Sequence, residues 1–308
     1  MLLLKLSAIS LLTLPSMGNH DQLHIQVPNG PPLYIERHSL EVPLMDEPLL
    51  NEKNYSEFVL ELQEKVYTPP RNAYINENNI IVQEQAGFKL NGNKFRESVY
   101  DFFFSKGDKH IAPPLLTLYP RVDSEILAQI KTQLIGQYVT YFNKYNEERT
   151  RNIILATEEI NNAVVFPGEV FSFNGVVGKR TKERGYQKAP VIVKGELSED
   201  IGGGICQVSS TLFNAVDQAG VVILERYHHS KRVPYVPSGR DATVSWYGPD
   251  FTFRNDYNQP ILIRANIVGG QVIVSVYSSE FVNAQKRQIP SASHDLFQEK
   301  DVTHSVEN

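Results

Sequence analysis

Gly202, Gly203 and Gly204 stand one residue ahead of Cys206, the single cysteine of the chain, and a helical pattern begins at once after them. Ile205, Val208, Leu212, Ala215, Val216 and Ala219 recur at spacings of three and four, which predicts one apolar helix face ending at Gly220, a natural position just past a helix C-terminus. Cys206 then falls in the first turn, where free backbone N–H groups and the positive end of the helix dipole favour a thiolate. Glycines without Cβ atoms let a ligand approach the backbone closely. Two readings remain open at this point. Cys206 is either a nucleophile or anion-site residue, or a buried structural cysteine beneath a tight turn, as free cysteines often are. A phosphate-binding loop is disfavoured, because no Lys-Ser/Thr pair follows the glycines and no acidic residue stands at dinucleotide-fingerprint spacing.

With 308 residues the chain has room for two ordinary domains. Its net charge of −5 and the lack of any lysine- or arginine-rich block argue against nucleic acid as a partner. One cysteine excludes an intramolecular disulfide, which suits the cytosol and equally an exported bacterial protein held by its core. The N-terminus favours export. Leu2 to Leu14 are almost all apolar or small, and Pro15-Ser16-Met17-Gly18 offers a cleavage region, so residues 1–18 read as a signal segment, against the plainer reading of a buried leucine-rich helix. The expected location is therefore extracellular or cell-wall associated, with the N-terminal segment bringing the chain near the membrane.

Residues 19–50, punctuated by Pro28, Pro31, Pro32, Pro43 and Pro48, read as an extended linker with one short strand at most. Residues 51–122 read as a small α+β unit. It has a helix carrying Phe58, Val59, Leu62 and Val66 that stops before Pro69-Pro70, strands at 73–75 and 80–83, a helix over 93–104 and a strand over 115–122. Residues 123–279 read as a larger mixed domain, with Asp123 capping a helix, a strand over 137–142 and a helix over 148–161. Strands then fall at 170–173, 190–193, 221–226, 242–246 and 251–254, and a hairpin of 261–267 with 272–277 closes at Gly269-Gly270. Residues 280–308 form a polar tail. The fold class expected is α+β, with the central helix packed on a mostly antiparallel sheet.

The run from Tyr138 to Tyr277 resembles the VanW-type domain, whose family is named for a protein associated with vancomycin resistance. The matching text is Arg151-Asn152-Ile153, Phe166-Pro167-Gly168-Glu169-Val170-Phe171-Ser172-Phe173-Asn174, Val177-Gly178-Lys179-Arg180-Thr181 and Gly185-Tyr186. It continues through Gly202 to Ser209, Glu225-Arg226, His229-Ser230, Tyr235 to Val244, Asp250-Phe251 and Phe253-Arg254-Asn255. Residues 51–122 are similar, more loosely, to the peptidoglycan-binding-type domain that precedes VanW domains in Gram-positive envelope proteins, on Pro69 to Ala73 and Val82 to Gly87. The resemblance implies a role at the cell wall, with peptidoglycan or its precursors as partner and no cofactor. It carries no established reaction, and the C-terminal adhesion module found on some relatives has no counterpart here.

A cysteine nucleophile needs a base and a group to orient that base. His228 and His229 are expected at a strand or its end, so that they point to opposite faces and only one can serve. The family pattern selects His229, and Asp241 follows to orient it. Cysteine at a helix start, then His, then Asp is also the order of papain-like and transglutaminase-like enzymes, which is fold-level analogy. The expected catalytic set is Cys206, His229 and Asp241, with Gly202, Gly203, Gly204, Gln207, Ser209 and Arg226 expected to bind substrate. Each member also has a plainer reading, the histidine as a surface or packing residue and the Asp as a turn residue. Cys206, His228, His229 and Asp241 have the atom types of metal ligands but no paired-ligand spacing, so no metal is expected. Glu169 and Asp250 offer a less favoured carboxylate pair for glycan cleavage. Two functions follow: an exported enzyme that remodels peptidoglycan peptides by Cys206-dependent acyl transfer or hydrolysis, or a non-catalytic wall-binding scaffold in which Cys206 is buried.

Overall fold

The computed structural model describes residues 21–28, 30–43, 47–193 and 196–292, without the side chains of 191–198; the expected signal segment and the tail beyond 292 lie outside the described residues. The first elements are β1 (Gln22–Ile25), β2 (Leu33–Glu36), α1 (Glu52–Val66), β3 (Tyr74–Ile75), β4 (Ile81–Val82), β5 (Gly87–Leu90), α2 (Gly92–Phe104), β6 (Lys109–Ile111) and β7 (Leu115–Leu118). Then come α3 (Ser124–Ile130), β8 (Gln133–Tyr141), α4 (Glu147–Ile160), β9 (Val164–Val165), β10 (Val170–Ser172), α5 (Phe173–Val177), β11 (Lys188–Val193) and β12 (Glu196–Ile201). The last are α6 (Ile205–Gln218), β13 (Val222–Glu225), β14 (Thr252–Arg254), β15 (Ile261–Val268) and β16 (Gln271–Ser278). This is the α+β class expected. Residues up to Arg71 form one compact unit with Gln85–Pro120, while Asn72–Glu84 belong with Arg121 onward in a second.

In the first unit β1 is the middle of a three-stranded sheet, antiparallel to β2 and parallel to β6. The reading of 19–50 as a linker is corrected here. Leu23, Ile25 and Val27 alternate inward with the period of a half-buried strand, a pattern obscured in the sequence by the prolines that follow. Leu62 and Val66 of α1 meet Phe95, Val99, Phe102 and Phe103 of α2 in the core. The side-chain oxygen of Asn51 caps α1 by accepting the N–H groups of Lys53 and Asn54, and the helix ends before Pro69-Pro70 as expected.

The second unit is built on an antiparallel sheet of order β8-β16-β15-β9. Its central hairpin turns at Gly269 and Gly270, both at positive φ, as the Gly-Gly signal requires. Helix α6 packs on β8 and β16. The approach is so close that a Cβ on Gly136 would lie 2.2 Å from the Ala215 carbonyl oxygen, so β8 needs a glycine where the helix crosses it. The β3–β4 hairpin buries Ala73 and Ile75 against Val122, Leu127, Ile130 and Leu262. Asn162, in the left-handed region at φ 66°, accepts the Ile75 N–H at 2.9 Å and donates to its carbonyl at 3.1 Å, so one side chain stands in for a strand partner. A smaller sheet of order β10-β14-β13 and the β11–β12 hairpin complete the unit. The expected strand over 242–246 is absent. Only Thr243 forms a bridge, to Tyr227, because side chains of α6 take the neighbouring backbone groups. No described helix is long and apolar enough to cross a membrane.

Candidate active site

The glycine turn is a packing device. Gly202 and Gly204 have φ of 94° and 105°, conformations that side-chain-bearing residues rarely adopt. A Cβ on Gly203 would stand 2.5 Å from the Ala189 carbonyl oxygen, and one on Gly204 2.9 Å from Cγ of Arg149. The close approach is therefore to protein rather than to the ligand the sequence suggested. Buried Asn152 clamps the turn, its amide donating to the carbonyls of Gln187 and Gly203 and its oxygen accepting the Gln187 N–H. The N–H of Ile205 donates to Gly202 and that of Gln207 to Gly204, so two first-turn donors expected to be free are spent within the turn.

Helix α6 is buried nearly all round, and besides its apolar face it carries a polar stripe at helical spacing: Cys206, Ser210, Asn214, Asp217. The Ser210 hydroxyl donates to the Cys206 carbonyl at 2.7 Å and accepts the Ala242 N–H at 2.8 Å. Asn214 donates to the Arg240 carbonyl and accepts from Nε of Arg240, while Asp217 pairs with Arg240 and Arg287. The stripe thus fixes segment 240–244 along the helix. That segment delivers Asp241 and lays Thr243 and Val244 beside the sulfur, with Thr243 Oγ1 at 3.7 Å and the Val244 carbonyl oxygen at 3.6 Å from Sγ.

Cys206, partly exposed, lies within electrostatic reach of the imidazole of His229. Asp241 Oδ2 accepts from both the backbone N–H of His229, at 2.6 Å, and its ring Nδ1, at 2.7 Å. With Nδ1 so committed, Nε2 is left for the thiol. Burial opposes charge on the thiol, but the hydrogen bond and charge of His229, helped by the Val244 backbone and Thr243 hydroxyl, outweigh it and hold the Cys206 pKa below its ordinary value. Burial likewise opposes a charged imidazole, yet Asp241 and Cys206 bring His229 to about 9. Against the cost of its own burial, bonds from His229 and His228 hold Asp241 well below the usual carboxylate range. These directions favour the thiolate and the imidazolium together, beside an ionised Asp241.

His228 departs from expectation. The chain has left β13 before the histidines, so their side chains do not diverge, and His228 Nδ1 lies 2.9 Å from the other oxygen of Asp241. The two rings differ in exposure: the His229 side chain is 5% exposed, that of His228 50%. Arg226 donates to the carbonyls of Gly239 and Asp241 and to Nε2 of His228, and stacks over Phe213. Gln207 is buried, its amide donating to Thr140 and Tyr141 and its oxygen accepting from Arg149. Ser209 is buried and donates to the carbonyls of Cys206 and Ala242. Gln207 and Ser209 are thus buried supports of the helix, while Arg226, partly exposed, braces the loop. Glu169 bonds Arg121 and the Phe166 N–H, and Asp250 accepts from Ser172, Asn174 and Phe251, so both carboxylates serve local structure. No group of three His, Cys, Asp or Glu residues among the described residues is arranged to hold a metal ion. Asn152 entered the sequence reading only as part of a motif, and Ser210 and Asn214 were given no role there. Their signal was available as polar residues placed among the apolar positions of α4 and α6.

Residues 148–277 match the family model described as VanW like protein. Over 258 residues, 84% of this chain and 85% of the relative, the chain is 54% identical to the uncharacterized protein YoaR of Bacillus subtilis (strain 168). The chain therefore belongs to one family with YoaR and carries a VanW-like domain over residues 148–277. It is also 30% identical over 141 residues to the vancomycin B-type resistance protein VanW of Enterococcus faecalis (strain ATCC 700802 / V583), a match covering 44% of this chain and about half, 51%, of that protein. No solved structure gives a significant match.

Proposed function

We propose that this protein is an exported cell-wall enzyme that transfers or hydrolyses acyl groups of peptidoglycan peptides through Cys206. The observation that carries the reading is the grouping of Cys206 with a His229 that Asp241 binds at both its backbone N–H and its ring Nδ1, where the thiol is held below and the imidazole above its ordinary pKa. The Cys206 thiolate attacks a peptide carbonyl carbon, forming the S–C bond and a tetrahedral oxyanion. As the C–N bond breaks, the His229 imidazolium gives its proton to the departing amine, leaving a thioester. An incoming amine or water then loses a proton to His229 as it attacks that thioester, and the thiolate departs. Asp241 stabilises the imidazolium in each half-reaction and fixes its orientation.

The cell-wall setting is supported by the VanW-like domain and by the vancomycin resistance named for the Enterococcus relative, and export by the apolar residues at the N-terminus. Binding of peptidoglycan by the first unit rests on its looser resemblance to wall-binding domains. Incubation of the full chain with purified muropeptides tests the chemistry: products are expected from the unaltered protein and none from Cys206→Ala. If the two behave alike while both sediment with sacculi, the protein is a wall-binding scaffold. Recovery only from the cytosol, with Met1 retained, would defeat the wall assignment.

A further inference from the structure

Beside the candidate site lies a cation that the proposed chemistry leaves unused. Both terminal nitrogens of Arg180 are shielded from solvent and have no hydrogen-bond partner among the described residues. Its stem lies against the glycine turn, since a Cβ on Gly202 would fall 3.3 Å from Arg180 Cγ, and its guanidinium sits over the Phe173 ring at 5.8 Å. The Tyr186 hydroxyl, within electrostatic range of Arg180, is also buried and unpartnered. Neither of two charged neighbours, Asp250 and Arg184, is a hydrogen-bond partner of the guanidinium. Asp250 accepts from Ser172, Asn174 and Phe251, and Arg184, a second cation, donates to Val177, Lys179 and Glu159. Burial pushes the Arg180 pKa down, yet a guanidinium keeps its charge under any such pressure. A buried charge without a partner is costly, and native structures rarely keep one unless something completes it.

We infer that Arg180, with the Tyr186 hydroxyl, is the receptor for a carboxylate of the substrate, which makes the preferred substrate a peptide with a free carboxyl group near the carbonyl that Cys206 attacks. The two free nitrogens form the planar fork that matches a carboxylate with two parallel N–H···O bonds, and the phenol supplies a third donor. Exclusion of water strengthens the pairing. Arg180 lies against Gly202, in the turn that leads directly into helix α6 and Cys206, so the receptor and the nucleophile serve one ligand. The inference rests on the acyl-transfer reading above for its substrate class, but its test does not need turnover.

The probe is a synthetic peptidoglycan stem tetrapeptide with a free C-terminal carboxylate, compared with the same peptide as its C-terminal carboxamide. Binding of each to full-length Cys206→Ala protein is measured by calorimetry. The carboxylate form should bind roughly tenfold or more tightly, as loss of a charge-assisted pair implies, and Arg180→Met should abolish the difference while Arg180→Lys restores part of it. Equal binding of acid and amide, no binding of either, or a preference that survives Arg180→Met overturns the inference. The acid–amide comparison needs no variant at Arg180, so a folding defect there cannot hide the answer. Muropeptide turnover by the unaltered protein reports separately on Cys206: carboxylate-selective binding without turnover would remove the nucleophile and keep the receptor.

Discussion

Oδ2 of Asp241 holds His229 at two points, the backbone N–H at 2.6 Å and ring Nδ1 at 2.7 Å, so one oxygen fixes both the position of the residue and the direction of its ring. The imidazole cannot turn away from Cys206 without breaking a bond to a carboxylate whose side chain is only 10% exposed.

Cys206 should be the fast-reacting thiol that this arrangement implies. Iodoacetamide labelling followed against pH should show a midpoint below the ordinary thiol value of about 8.5, and His229→Ala should slow labelling at neutral pH, because loss of the imidazole raises the thiol pKa. Labelling unchanged by His229→Ala would separate the two residues functionally.

His228→Ala gives the contrasting result. Its ring is half exposed and reaches Asp241 on the side away from Oδ2, so its removal should leave the labelling rate within about twofold. A large effect would mean that the site depends on both imidazoles.

Asp241→Asn should destabilise the fold by about 3 kcal/mol, because it leaves the charged, buried His229 without its anion. The loss depends on pH in a defined way. The carboxylate is held below its ordinary range, so its contribution is present above an unfolded pKa of about 3.9 and fades in acid. His229 is raised to about 9 from the unfolded value of about 6.5, so its contribution is full below the latter and fades as pH rises through the former. Thermal melts should therefore show the widest gap between Asp241→Asn and the unaltered protein from about pH 4 to 6.5, narrowing toward pH 9.

Ser210→Ala should cost about 1–3 kcal/mol by leaving the buried Ala242 N–H without its acceptor, and it should also slow Cys206 labelling by loosening segment 240–244. Chemical denaturation and labelling rates measured on one preparation check both halves.

Gly203→Ala tests the packing role of the glycine turn. Its Cβ would meet the Ala189 carbonyl at 2.5 Å, and overpacking of this kind costs about 1–3 kcal/mol or more. A stable Gly203→Ala protein with altered ligand binding would restore the ligand-approach reading.

The parts of the fold legible in the sequence were those with local physical causes. Helix α6 announced itself by its apolar spacing and by Gly220 at φ 83°, α3 by the cap at Asp123, and the β15–β16 hairpin by Gly269-Gly270. The parts that were not legible depend on partners far along the chain. Leu23 finds Lys109, and Ala242 gives its backbone groups to a helix side chain instead of a strand. Residue types and chain order nominated Cys206 and Asp241, while the resemblance to the VanW-type pattern was needed to choose His229 over His228. Arg180 was visible only as part of a motif, because a missing partner is a property of three-dimensional surroundings.

The β3–β4 segment has a consequence for inheritance. Asn72–Glu84 contribute Ala73 and Ile75 to the core around Leu262, although chain belonging to the other compact unit flanks them on both sides. The polypeptide therefore passes between the units at 71–72, 84–85 and 120–121, and no single breakpoint in the coding sequence separates one complete unit from the other. A recombination event joining residues 121 onward to a foreign leader would leave that core without Ala73, Ile75 and Ile81. The pair is thus expected to pass between genomes as one cassette, unlike wall-binding modules strung on simple linkers.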